Sequence, residues 1–96
     1  MTHLVLLKFK AGAQVDSCMA ELARLKSLIP GLLSFSGGAN TSKEGLSRGF
    51  THAFSMVFES TNARDAYLPH PEHERVKELL LACLEPEGVV VVDYAF

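Results

Sequence analysis

The chain opens on an alternation. In HLVLLKFK, His3, Val5, Leu7 and Phe9 fall on one side of an extended segment and Leu4, Leu6, Lys8 and Lys10 on the other, which predicts a β-strand. Both sides begin apolar. Such a strand needs cover on two faces, for instance helices on one and a second sheet on the other. From Gln14 to Ile29 the spacing becomes helical, with Val15, Cys18, Met19, Leu22, Leu25, Leu28 and Ile29 recurring on one stripe until Pro30-Gly31 ends it. Leu32 to Gly37 predicts a second strand, and residues 38–49 a polar loop long enough to be functional or mobile. FTHAFSMVFES alternates again. Phe50, His52, Phe54, Met56 and Phe58 form its bulky, core-facing side.

Ser60 or Thr61 can cap a short helix running through Tyr67 and Leu68. Pro69 and Pro71 stop that helix, while Pro71 suits the first position of another, because its missing N–H would be unpaired there anyway. His70 then becomes the cap residue. The third helix carries His73, Val76, Leu80 and Cys83 on one face, with Glu72 and Glu74 at its positive end, and stops near Pro86. The run GVVVVDYAF predicts a last strand so apolar that both of its faces need cover. The order is β-α-β-β-α-α-β over residues 1–96, one domain without repeat or linker. A split βαβ plan makes the first and third strands neighbours, so His3 and His52 share a face.

Composition sharpens this picture. Of the 96 residues, 48% are hydrophobic and 21% charged, which is apolar for so small a chain and favours an oligomer. Nine basic and eleven acidic residues give a net charge of -2, without a run of either sign, so a nucleic-acid partner is not expected. The start MTHLVLLKFK lacks the pattern of a cleaved leader, and no apolar stretch approaches the roughly 18 residues of a membrane helix, so a cytoplasmic location and no membrane partner are expected. Cys18 and Cys83 fall on apolar helix faces, where reduced thiols act as small, inert hydrophobes. Asn40-Thr41-Ser42 matches a glycosylation acceptor, a common pattern that means little without a secretory signal.

The candidate chemistry concentrates in YLPHPEH, residues 67–73. The Pro-bounded corner can turn Tyr67 and His73 toward the sheet face that carries His3 and His52. Imidazole with a pKa near 6.5 can accept a proton at neutral pH, and a phenol near 10 can donate a hydrogen bond to a carbonyl or enolate oxygen. The pair suits enolate chemistry. The same residues also fit structural roles, with the Tyr67 hydroxyl satisfied, His70 capping a helix and His73 bonded to a backbone carbonyl. His70-x-x-His73 has imidazoles for a metal but lacks a tight His/Cys framework, so neither a metal nor another cofactor is expected. The aromatic stripe through Phe54 and Met56 is core, and also a binding wall if a cavity opens beside it.

Five stretches together carry a resemblance: THLVLLKFK, IPGLLSFSGGANTSKEG, GFTHAFSMVFES, YLPHPEH and VVVVDYAF. They resemble the stress-responsive A/B barrel (Dabb) family over essentially the whole chain. The resemblance implies a ferredoxin-like α+β unit whose sheet faces that of a second copy, giving a homodimeric α+β barrel. Similarity to the family's polyketide cyclase branch implies a small, largely apolar carbonyl ligand and intramolecular aldol chemistry, with His73 as base and Tyr67 holding the reacting oxygen. His3 and His52 would orient the substrate, and Val5, Leu7, Phe54 and Met56 would form apolar wall. Cys18, Met19 and Leu22 stand where that branch has aromatic residues, which implies a different substrate. A non-catalytic stress protein is the alternative, and a cofactor-free monooxygenase is a third possibility.

Overall fold

The computed structural model describes residues 1–96. Four strands, β1 (Thr2–Phe9), β2 (Leu32–Ala39), β3 (His52–Phe58) and β4 (Leu84–Tyr94), form one sheet in the order β2-β3-β1-β4. All pairs are antiparallel. The helices α1 (Val15–Arg24), α2 (Thr61–Tyr67) and α3 (Pro71–Ala82) complete a ferredoxin-like α+β fold. None is long and apolar enough to cross a membrane.

Register explains which side chains meet. His3 pairs with Met56 and Asp93, Val5 with Phe54 and Val91, and Leu7 with His52 and Val89, so these residues share the face on which the helices lie. Leu22 of α1 and Val76 and Leu80 of α3 pack there with Val5, Leu7, Phe54, Met56 and Phe58 in one buried cluster. The other face carries Leu4, Leu6, Val57, Val90, Val92 and Tyr94. No helix covers it, and Val90, Val92 and Tyr94 remain 39%, 52% and 51% exposed.

Several boundaries differ from the sequence expectation. The first helix loses α geometry at Leu25 and tightens into a 3-10 turn through Ser27, well short of Ile29. Gly31, at φ +81°, then turns the chain into β2 in a conformation that glycine adopts without steric cost. β2 runs on to Ala39 because Ala39 still pairs with His52, so the following loop starts two residues later. The last strand begins at Leu84, before Pro86, because Leu84 pairs with Phe9 and the Lys10 N–H donates to the Cys83 carbonyl at 2.9 Å. The register then shifts, and residues 85–88 bulge from the ladder. A Cβ on Gly88 would stand 2.6 Å from the Glu85 oxygen and 2.9 Å from the Lys8 oxygen, so only glycine fits this bend.

Candidate functional site

Local chemistry builds the corner at residues 67–73. The Ser60 hydroxyl accepts from the Ala63 N–H at 3.0 Å and starts α2, which delivers Tyr67 in its last turn. His70 adopts extended geometry and its Nδ1 accepts the Glu72 N–H at 3.1 Å, capping α3 with Pro71 at the first helical position. His70 is thereby committed to the backbone. His73, in the first turn of α3, is set against Tyr67 with ring centroids 4.2 Å apart.

These side chains edge a cavity of about 400 Å³ between α3 and the sheet. His3, Val5, Phe54, Tyr67 and His73 line it, with Leu22, Val76 and Leu80 from the helix layer and Val89 and Val91 along β4. Val89 and Val91 face the helices in register yet stay 37% and 53% exposed, because no helix covers the β4 edge. The mouth is therefore on that side. Ten of the thirteen lining residues are hydrophobic and the other three are His3, His73 and Lys77, so the interior is apolar with its polar atoms confined to these side chains and the Tyr67 hydroxyl.

Hydrogen bonds decide the state of each polar group. The Nδ1 of His73 lies 2.8 Å from the Leu68 carbonyl, which can only accept, so Nδ1 carries the hydrogen and Nε2 is the unprotonated nitrogen. Burial lowers the His73 pKa, outweighing the stabilising bond to Leu68, and keeps the ring neutral near pH 7. Tyr67 is 2% exposed, and burial, followed by the charge of Asp93, raises its pKa and keeps the phenol protonated. Its hydroxyl has no protein partner. Since no fully buried side-chain oxygen or nitrogen lacks a hydrogen bond, that hydroxyl must open to the cavity. A neutral base and an uncommitted proton donor thus stand side by side.

Two further residues support His3. Its Nδ1–H donates to Asp93 Oδ1 at 2.7 Å, and Arg64 Nη1 donates to Asp93 Oδ2. The His3 ring lies edge-on to Tyr67 with centroids 5.8 Å apart. Asp93 and Arg64 were absent from the sequence-derived site, although each left a signal. Asp93 continues the inward alternation Val89, Val91, Asp93, where a carboxylate calls for a partner, and Arg64 precedes Tyr67 by one helical turn on α2.

Three expected positions lie elsewhere. His52 shares the face of His3 but pairs with Leu7, four residues along β1, a separation of roughly 13 Å at strand spacing. It packs edge-on against Phe9 at 5.1 Å, bonds Thr51 Oγ1 at 3.0 Å, and lines a separate cavity beside Phe50 and Arg48. Leu7 and Met56, expected as wall, are both 0% exposed and belong to the core beneath the pocket. No cluster of three or more His, Cys, Asp or Glu side chains gathers at a metal-binding distance.

An antiparallel ferredoxin-like sheet, helices on one face, and an apolar pocket edged by tyrosine and imidazole define a small A/B barrel unit. Residues 1–96 match the Stress responsive A/B Barrel Domain family, and the chain belongs to it. A stress-response A/B barrel domain-containing protein of Arabidopsis thaliana is 37% identical over 93 residues, covering 96% of this chain and 82% of that one. Olivetolic acid cyclase of Cannabis sativa is 30% identical over 74 residues, or 74% of this chain and 73% of the cyclase. Among solved structures, a dimeric ferredoxin-like protein from Jannaschia sp. CCS1 superposes with a TM-score of 0.88 at 33% identity, covering 99% of this chain and 97% of that one.

Proposed function

We propose that this protein binds a small, largely apolar carbonyl compound in the α3 pocket and transfers a proton on it, in the manner of a cyclase or isomerase. The observation that carries the proposal is the pairing of Tyr67 and His73: a protonated phenol without a protein partner, 4.2 Å between ring centroids from a neutral imidazole whose Nε2 is unprotonated. His73 Nε2 would take a proton from the carbon next to the carbonyl, and the Tyr67 hydroxyl would donate to the enolate oxygen that forms. If the ligand carries a second carbonyl, the enolate carbon closes a ring on it and the proton returns to the new alkoxide. General acid-base assistance of this kind contributes about 100- to 10,000-fold. The relative named olivetolic acid cyclase supports this reaction class, and of Cys18, Met19 and Leu22 only Leu22 lines the pocket.

The functional unit in this proposal is a homodimer joined through the outer sheet faces. The uncovered stripe of Leu4, Leu6, Val90, Val92 and Tyr94 supports it, as does the dimeric state of the Jannaschia protein. A second reading, a non-catalytic stress protein, draws on a different observation: His3, His70 and His73 each make an ordinary intramolecular hydrogen bond. Thermal-shift screening against aliphatic and aromatic ketones separates the two. The enzyme reading expects ligands that raise Tm in the wild type and turnover that His73→Ala abolishes. A screen without a single stabilising ketone, with Tyr67→Phe and His73→Ala merely lowering Tm, supports the second reading.

A further inference from the structure

Cys18 and Cys83 take no part in the pocket chemistry. Cys18 lies on α1, Cys83 terminates α3, and their sulfurs are 3.4 Å apart across 65 residues of sequence. Both are free thiols, Cys18 buried and Cys83 half-buried. A disulfide requires about 2.05 Å between sulfurs, so the pair is about 1.4 Å from bonding distance, a gap that small rotations of two side chains can close. Both residues line an open groove of about 740 Å³ between α1 and α3, which gives a small oxidant a path to the sulfurs.

The geometry points to a thiol pair that hydrogen peroxide converts to a disulfide, tying α1 to the end of α3. The packing that made these cysteines read as inert in the sequence is what brings them together. Burial pushes the Cys18 thiol up to about 11, so the more accessible Cys83 meets peroxide first. Its thiolate attacks one peroxide oxygen, the O–O bond breaks, and Cys83 becomes a sulfenic acid while hydroxide takes up the displaced proton as water. The Cys18 sulfur then attacks the sulfenic sulfur, the S–S bond forms, and the departing hydroxyl leaves with the Cys18 proton as a second water. Two thiols lose two electrons and one peroxide gains them.

The bond sits next to the pocket roof. Leu22 lies one turn beyond Cys18 and Leu80 three residues before Cys83, and both line the pocket, so the disulfide would pin the two helices that cover it. Closing so long a loop also restricts the unfolded chain.

The test treats the reduced full chain with hydrogen peroxide and reads intact mass, thiol alkylation and Tm. The expected result is the loss of two hydrogens within one chain, both thiols protected from alkylation, a Tm higher by several degrees, and full reversal by dithiothreitol. Cys18→Ala should halt at a sulfenic acid on Cys83 that dimedone captures, whereas Cys83→Ala should resist the same dose. Thiols that remain alkylatable after a dose that oxidises a small free thiol completely would overturn the inference. So would bonds found only between chains, or an equal Tm rise in the Cys18→Ala/Cys83→Ala double variant.

Discussion

Replacing Tyr67 with Phe removes one oxygen and leaves the ring. The ring packs against Phe58 at 5.1 Å, His73 at 4.2 Å and His3 at 5.8 Å between centroids, and all of these contacts persist in the variant. The hydroxyl has no protein partner to lose, so folding stability should change by less than about 1 kcal/mol. Tyr67→Ala, by contrast, empties a fully buried site and should cost about 3–5 kcal/mol. Ligand binding and turnover should be more sensitive to Tyr67→Phe than stability is. Loss of one hydrogen bond to a neutral carbonyl weakens Tyr67→Phe binding by about two- to tenfold, and loss of a donor to a developing enolate slows turnover by about 100-fold or more. Urea unfolding measures the first quantity and calorimetric titration with a stabilising ketone the second. A Tyr67→Phe variant destabilised by about 2 kcal/mol or more would show that the hydroxyl serves the fold. The proton-donor role would then fail.

Further expectations follow from neighbouring groups. Burial lowers the His73 pKa in the folded state, so the unfolded chain binds the extra proton more readily. The resulting penalty is absent well above pH 6.5 and grows as pH falls from 6.5 toward the depressed folded value; His73→Gln should flatten that part of a stability-against-pH curve measured by urea melts. Asp93→Ala leaves the His3 Nδ1–H, whose side chain is 7% exposed, without its acceptor, and should cost about 1–3 kcal/mol in thermal unfolding. An unchanged Tm would contradict the supporting role assigned to Asp93. Val92→Asp places a charge in the uncovered apolar stripe and, if the chain pairs through that face as proposed, should give monomers in light scattering at concentrations where the wild type gives dimers. Persistence of the dimer would place the interface elsewhere.

The strands were legible because their alternation is strong. His3, Val5, Leu7 and Phe9 all turn to the helix face, and the split βαβ plan does put β3 beside β1. The proline-bounded corner was equally readable, since Pro71 and a polar residue before it leave few alternatives to a capped helix start. Position along a strand was less readable. Periodicity assigns His3 and His52 to one face, but only register reveals that His52 stands beside Leu7 while His3 stands beside Met56. Pocket depth was also hidden, because alternation cannot tell Val5 and Phe54 at the cavity from Leu7 and Met56 beneath it. Asp93 was masked by its apolar neighbours, and Arg64 by the ordinary charge of a short surface helix. The Cys18–Cys83 approach depends on how α1 and α3 cross, which no local pattern encodes.

Hydrogen exchange at carbon is the most direct probe of the Tyr67–His73 proposal. Medium-chain methyl ketones incubated with the protein in deuterium oxide, followed by proton NMR, report whether the hydrogens next to the carbonyl are removed and replaced. The account predicts protein-dependent deuterium uptake near neutral pH, lost in His73→Ala and strongly slowed in Tyr67→Phe. Uptake by the wild type no faster than in buffer, for ketones that calorimetry shows to be bound, would contradict it, and so would uptake that survives His73→Ala.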